Sequence, residues 1–183
     1  MNDKWEKVSE GAPSAYLGTC LAGFPNFFIM MGPNTVSGHL SVIYTTECQI
    51  NFALRLLQPV MRALRAARSP SFLPQSSTQD VVSVTSDAEG RDIDTTQEKA
   101  RRLVWASGCT SWFIHNSGRN TAMFPDWQYK FWLRSVFIPW QDFSYRTSAS
   151  WEEESCGSVR VGRVLTTTVV GALLGSVAYR CYR

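Results

Sequence analysis

The stretch from Gly23 to His39 constrains this chain most. Phe27 to Met31 is an unbroken apolar run, bounded by Pro25-Asn26 before it and Gly32-Pro33-Asn34 after it. That is the length and punctuation of a buried strand. Gly32 permits close backbone approach, while Pro33 fixes φ and removes a donor. Asn34, Thr35 and Ser37 are each suited to cap a helix opening at this point. The pattern predicts a turn, a buried strand, a tight turn and then a long helix. Such a corner leaves free N–H groups and the positive end of a helix dipole, a seat for an electron-rich ligand group. A corner without any ligand also explains the spacing, since helix N-termini commonly stand unliganded.

The helical period follows at once. Leu40, Ile43, Ile50, Ala53, Leu54 and Leu57 recur mostly at three- and four-residue steps, with Arg55 and Gln58 on the polar side. The helix reads as a packing element that Pro59 breaks or kinks before Val60 to Ala67. Residues 1–68 thus form one strand–turn–helix block, entered through a polar lead-in whose one large anchor is Trp5. Residues 69–96, rich in Ser, Thr, Pro and Asp, read as a polar loop with Val81 to Val84 as a short strand inside it. Gln97 to Val104 has a helical pattern, and 97–145 is an aromatic-rich segment punctuated by Gly108, Gly118, Pro125 and Pro139.

A linker at 146–163 leads to Val164–Tyr179, which carries no charge and is flanked by Arg160 and Arg163 before and Arg180 and Arg183 after. As a helix it would span about 24 Å, short of a hydrocarbon core of about 30 Å unless the arginines snorkel. Gly171 and Gly175 form the G-x-x-x-G step of close membrane helix contacts. A membrane anchor and a buried or interfacial helix both remain open. The arginines are balanced on the two sides, so orientation is undetermined.

With 18 basic and 15 acidic residues scattered along 183, no stripe suits a phosphate backbone, and nucleic acid is not an expected partner. Cys20, Cys48, Cys109, Cys156 and Cys181 form no C-x-x-C pair, and with only His39 and His115 there is no zinc spacing. Free thiols are expected. His39 reads as a hydrogen-bonding residue near a helix start and His115 as part of a polar turn with Asn116 and Ser117. Asp126 and Glu152-Glu153-Glu154 read as solvated charges. Met1–Glu10 lacks the apolar segment of a secretory signal, so the expected place is the cytoplasm or the cytoplasmic face of a membrane.

Tyr16-Leu17-Gly18-Thr19, Gly23-Phe24-Pro25-Asn26 and Gly32-Pro33-Asn34 together resemble the C-terminal part of FAD-dependent monooxygenases of the Baeyer–Villiger type. Glu47 and Gln49 are similar to an acidic and amide pair of that family. Trp105-Ala106-Ser107-Gly108-Cys109-Thr110-Ser111-Trp112-Phe113 and Gly118-Arg119-Asn120 resemble a second block of it, in the right order. The resemblance runs from about Trp5 to about Trp140. It implies an α/β flavoprotein with two dinucleotide-binding domains, FAD and NADPH as cofactors, and a ketone or soft heteroatom as substrate. It implies that Gly32, Pro33, Asn34 and Thr35 lie towards the flavin. It also implies that Trp112 stacks on the nicotinamide cofactor and Arg119 meets a phosphate. Ordinary core packing is the competing reading for Trp105 and Trp112.

That chemistry needs two G-x-G-x-x-G turns. No two glycines here are separated by a single residue, so neither fingerprint is in this chain. The expectation is a partial enzyme, inactive alone: a truncated product, an incomplete gene model, or one piece of a split enzyme whose N-terminal half is supplied in trans. A membrane-tethered, non-catalytic scaffold is the alternative.

Overall fold

Helix α2 (Val42–Arg68) carries the packing of the fold, and Pro59 lies inside it without ending it. Before it comes a short helix, α1 (Asn2–Ser9). After it come strand β1 (Val81–Val84), helix α3 (Ser86–Arg101), helix α4 (Gln128–Val136) and strand β2 (Phe143–Arg146), which pairs with β1. This computed structural model describes residues 1–37, 41–68, 78–106, 108 and 111–151. Met1–Tyr145 forms one unit and Arg146–Arg183 a second. The inner face of α2, including Phe52, Leu56 and Val60, meets Tyr16, Cys20 and Ala22 before it and Val82, Val84, Ala88 and Phe143 after it in one core. The Phe143 ring sits edge-on to Tyr16 at 5.5 Å and to Phe52 at 6.0 Å, a geometry favoured by the ring quadrupoles.

Several expectations change. The run Phe27–Met31 makes only one isolated bridge, Phe28 to Cys20, with Phe27 and Met30 exposed. It has no ladder because the adjoining edge of β1 is met by Asn26 instead. The Asn26 N–H donates to Val82 O (2.9 Å), and its side-chain oxygen accepts from Val82 N (3.0 Å). One asparagine in the left-handed region (φ 55°) therefore mimics a strand residue.

The helix does not open at Asn34 or Thr35 either, but at Val42. Its packing face is rotated from the expected one, sharing Ala53 with it and keeping Leu57 against the core. Thr45, Cys48, Gln49, Phe52, Ala53, Leu56 and Val60 point inward, whereas Ile43, Ile50 and Leu54 are 71%, 43% and 60% exposed.

Finally, Ser86–Thr96 is not loop but the first part of α3. Thr85 caps it, its hydroxyl accepting from Ala88 N (3.3 Å), and Asp87 and Glu89 sit in the first turn where the dipole favours them. The inward positions Ala88, Glu89, Ile93, Gln97 and Ala100 include one large apolar residue, so the helical period is faint in the sequence. Burial of Glu89 is matched by Lys4 Nζ at 2.5 Å and by Ala22 N at 3.3 Å, which docks α1 on α3. The lead-in thus has two anchors: Lys4, and Trp5, whose indole N–H donates to Ser14 O (2.8 Å).

Asp126 is no solvated charge. Its side chain is 10% exposed and bonds Lys130 (2.8 Å), Lys99 (3.0 Å) and the N–H of Trp127 (2.8 Å). Burial pushes this carboxyl up, but Lys130, the Trp127 N–H and Lys99 together outweigh it and hold it at about 2. A depressed carboxylate stabilises the fold above its unfolded value, near 3.9, and that contribution disappears as pH falls through about 2. Between about pH 4 and 2 the parent should therefore lose more thermal stability than Asp126→Asn. Parallel melts at the two pH values check this; equal losses would refute it.

Cys20 and Cys48 are free and buried, and burial pushes both thiols up. Among the described residues no helix is long and apolar enough to cross a membrane. The expected tail helix Val164–Tyr179, the linker beyond Trp151, Glu152-Glu153-Glu154, His39, Leu40, Cys109, Cys156 and Cys181 lie outside the described residues.

Candidate functional site

Two turns built from Gly18 and Gly32 press directly on each other. Gly18 has φ +65°, and a Cβ there would lie 2.5 Å from Pro33 O and 2.2 Å from Thr35 Cγ2. A Cβ on Gly32 would lie 2.3 Å from Gly18 O. Only glycine fits either position.

Gln49, on the buried face of α2, fastens both turns to the helix. Its Oε1 accepts from Met31 N (2.9 Å), and its Nε2 donates to Thr19 Oγ1 (2.9 Å), Gly18 O (3.1 Å) and Ile29 O (3.2 Å). Glu47, its companion in the sequence, is exposed.

Asn34, in the left-handed region at φ 57°, reaches across to the second block. Its Nδ2 donates to Asn120 O (2.8 Å) and Met123 O (3.2 Å), and its N–H to Thr121 O (3.1 Å). Val36 continues the junction as a bridge to Met123. On the far side Gln97 forms a two-way clamp on Asn120, donating from Nε2 to its carbonyl (2.7 Å) and accepting its N–H (3.0 Å). Asn120 Oδ1 accepts from Met123 N (2.9 Å) and Ala122 N (3.2 Å). The two sequence blocks are therefore one hydrogen-bonded structure, joined Asn34 to Asn120. Sequence reasoning missed Gln97, a polar residue on a helix read as surface, and Arg134, a buried guanidinium 3.7 Å from the centre of the Phe131 ring. Burial lowers the Arg134 pKa to about 10, against the pull of Asp92.

Residues 111–121 form a hairpin ahead of this junction. Ile114 bridges Asn120, His115 N donates to Arg119 O (2.9 Å), and Gly118 turns the chain at φ +77°. His115 Nδ1 lies 3.0 Å from Ser117 Oγ, closing the polar turn expected from the sequence. Trp112 is 79% exposed in this chain, and its ring meets Phe113 edge-on at 5.8 Å. Arg119 is half-buried. A cavity of about 310 Å³ opens beside the junction, with Gln97, Arg101, Ile114, Gly118 and Asn120 among its walls.

Of the six expected cofactor residues, then, Gly32, Pro33, Asn34 and Thr35 sit together, and Trp112 and Arg119 lie along the hairpin that runs into Asn120, to which Asn34 is bonded. Within this chain the amide nitrogen of Asn34 and the hydroxyl of Thr35 already have partners, the latter donating to Gly32 O (2.6 Å), and no helix dipole starts there. The four fit a frame that fixes where backbone and hairpin lie. Among the described residues no cluster of His, Cys, Asp or Glu suits a metal ion.

Comparison with known proteins identifies relatives of this chain. A Baeyer–Villiger monooxygenase of Pseudomonas aeruginosa is 37% identical over 131 residues, 70% of this chain. The chain is homologous to Baeyer–Villiger-type FAD-binding monooxygenases. A second relative, the FAD-binding monooxygenase tazF of Aspergillus terreus, is 31% identical over 144 residues, 74% of this chain. The chain spans 21% and 23% of the length of these two monooxygenases. No family model matches it. In fold it is similar to cyclohexanone monooxygenase from Rhodococcus sp. Phi1 bound to NADP+, with TM-score 0.58 and 18% identity, covering 78% of this chain and 25% of that one. It is likewise similar to OTEMO in complex with FAD and NADP, with TM-score 0.57 and 20% identity, covering 78% and 24%.

Proposed function

We propose that this chain is the C-terminal portion of a Baeyer–Villiger-type flavin monooxygenase, inactive alone and completed by dinucleotide-binding domains carried elsewhere. The observation that supports this reading is the 37% identity to a monooxygenase of which the chain spans 21%, in a sequence without a G-x-G pair. FAD, when bound, supplies oxygen activation, with NADPH as the source of reducing equivalents. This chain's contribution is geometry. The stacked Gly18 and Gly32 turns, pinned by Gln49, hold one wall rigid, and the Asn34–Asn120 bonds set the hairpin against it. Trp112 offers an exposed ring to a nicotinamide face, and Arg119 a guanidinium to a phosphate. A ketone or soft heteroatom substrate would meet a pocket walled largely by the missing domains.

The test is the visible spectrum of the chain after incubation with FAD and desalting, alone and co-expressed with the dinucleotide-binding domains of the Pseudomonas aeruginosa relative. The chain alone should be colourless and the pair should keep a flavin band. NADPH turnover by the chain alone with added FAD would falsify the proposal. In the flavin-bearing pair, Arg119→Ala should weaken NADP+ binding by on the order of tenfold, the loss of one charge-assisted contact. The melting temperature of the chain should stay unchanged. An unaltered affinity would remove Arg119 from the site.

A further inference from the structure

Helix α2 is apolar over a wider arc than its own core covers. Looking down the axis, the buried positions 45, 48, 49, 52, 53, 56 and 60 fill one side. The polar positions Glu47, Asn51, Arg55, Gln58, Arg62 and Arg65 fall on an adjoining arc, at whose edge Arg55 donates to Val136 O of α4 (3.3 Å). Between them runs a second apolar stripe: Ile43, Ile50, Leu54 and Met61, which are 71%, 43%, 60% and 47% exposed. At 100° per residue these four fall within about 40° of one another, a straight line about 27 Å long at 1.5 Å per residue. Periodicity alone places Ile43, Ile50 and Leu54 on a packing face, and among the described residues no element covers them or Met61. A stripe of four large apolar side chains in register along one helix is a feature of interfaces rather than of free surface.

From this we infer that the Ile43–Met61 stripe of α2 is the docking surface for the dinucleotide-binding body of a monooxygenase of this family. The inference rests on the reading above and adds where the body attaches. Two observations choose this occupant. The chain spans only 20–25% of the length of the monooxygenases it resembles in sequence or fold, so most of such a molecule lies outside the matched portion. And the buried face of the same helix carries Gln49, which pins the Gly18 and Gly32 turns. A body seated on the outer stripe would lie one helix diameter from that frame, about 10 Å.

The full chain is co-expressed with the portion of the Pseudomonas aeruginosa relative outside the matched 131 residues, and the affinity-purified chain is assayed for co-eluting partner and retained FAD. Leu54→Asp is the test variant and Gln58→Asp, one turn on but on the polar arc, the control. Both positions are exposed, so neither change should alter the circular dichroism or melting of the chain itself. The expected result is that Leu54→Asp lowers co-eluting partner and FAD by on the order of tenfold, the effect of a charge in an apolar anchor, while Gln58→Asp matches the parent. If the parent captures partner and flavin and Leu54→Asp does so equally, the docking surface is wrong and the functional reading stands. If the parent captures neither, both fall. A parent that instead doubles its mass in light scattering, or floats with anionic vesicles, with Leu54→Asp abolishing that behaviour, assigns the stripe to self-association or to a lipid surface and overturns the proposal.

Discussion

Gln49→Ala should destabilise the chain by about 3–5 kcal/mol, among the largest effects of any single side chain here. Gln49 is 2% exposed; its Oε1 accepts from the part-buried Met31 N–H, and its two amide hydrogens are shared among the buried Gly18 O and Thr19 Oγ1 and the part-buried Ile29 O. Truncation removes all of these partners together and leaves a cavity beside Phe52 and Thr19, and each orphaned group adds about 1–3 kcal/mol before any relaxation. Chemical denaturation measures it as a fall in midpoint at constant slope. Gln49→Glu separates hydrogen bonding from volume. The carboxylate keeps the shape and the Met31 contact but faces Gly18 O, Thr19 Oγ1 and Ile29 O with no proton to give. Burial should raise its pKa above the unfolded value near 4.3, so the variant should gain stability relative to the parent as pH falls towards that value. That is the opposite sign from Asp126, whose contribution is lost in acid. A Gln49→Glu protein as stable as the parent at neutral pH would show that the amide is not the fastener.

Gly18→Ala should cost about 3 kcal/mol or more, while Gly23→Ala should cost about 1. Both glycines have positive φ, +65° and +84°. A methyl group on Gly23 would meet nothing within 4 Å, whereas on Gly18 it would lie 2.5 Å from a backbone oxygen. The difference between the two variants thus isolates the close approach of the Gly18 and Gly32 turns from the conformational term they share. Thermal melts of the pair decide it. Equal losses would mean that the turns part without penalty and that Gly32–Thr35 is no rigid frame. Against a total stability of about 5–15 kcal/mol, either of the larger losses should be visible as partial unfolding in warm solution.

The parts of this fold legible in the sequence are those whose signals are local. The turn at Gly32-Pro33-Asn34, the β1 strand at Val81–Val84 and the polar turn at His115 all rest on residues acting within a few positions of themselves. The junction of the two blocks was legible only as a shared family resemblance, since nothing in Asn34 or Asn120 states that they meet. Helix α3 was read too short because Glu89 and Gln97 take inward positions usually held by apolar residues, compensated by Lys4 and Asn120 from distant parts of the chain. Phe27–Met31 was misread for the converse reason: an apolar run resembles a buried strand whether or not a neighbouring strand has a free edge. For α2 the period is right and the face is rotated: Ala53 and Leu57 pack on the core while Ile43, Ile50 and Leu54 do not, because periodicity alone does not say which apolar residues the rest of the chain will cover.

The long-range bonds also set a schedule for synthesis and folding. Lys4 waits for Glu89, Asn34 for Asn120, Leu56 for Tyr145, and the hydroxyl of Tyr16 for Asp142, 126 residues later. Such high contact order makes a fold slow, since distant ends must be brought together before any of these bonds forms. The turns fastened by Gln49 can lock once α2 has been made, whereas the Asn34–Asn120 junction and the Tyr16–Asp142 bond must wait for the end of the segment, leaving the apolar stripe open during translation. The helix α2 can form early and alone; the site it supports can only close last.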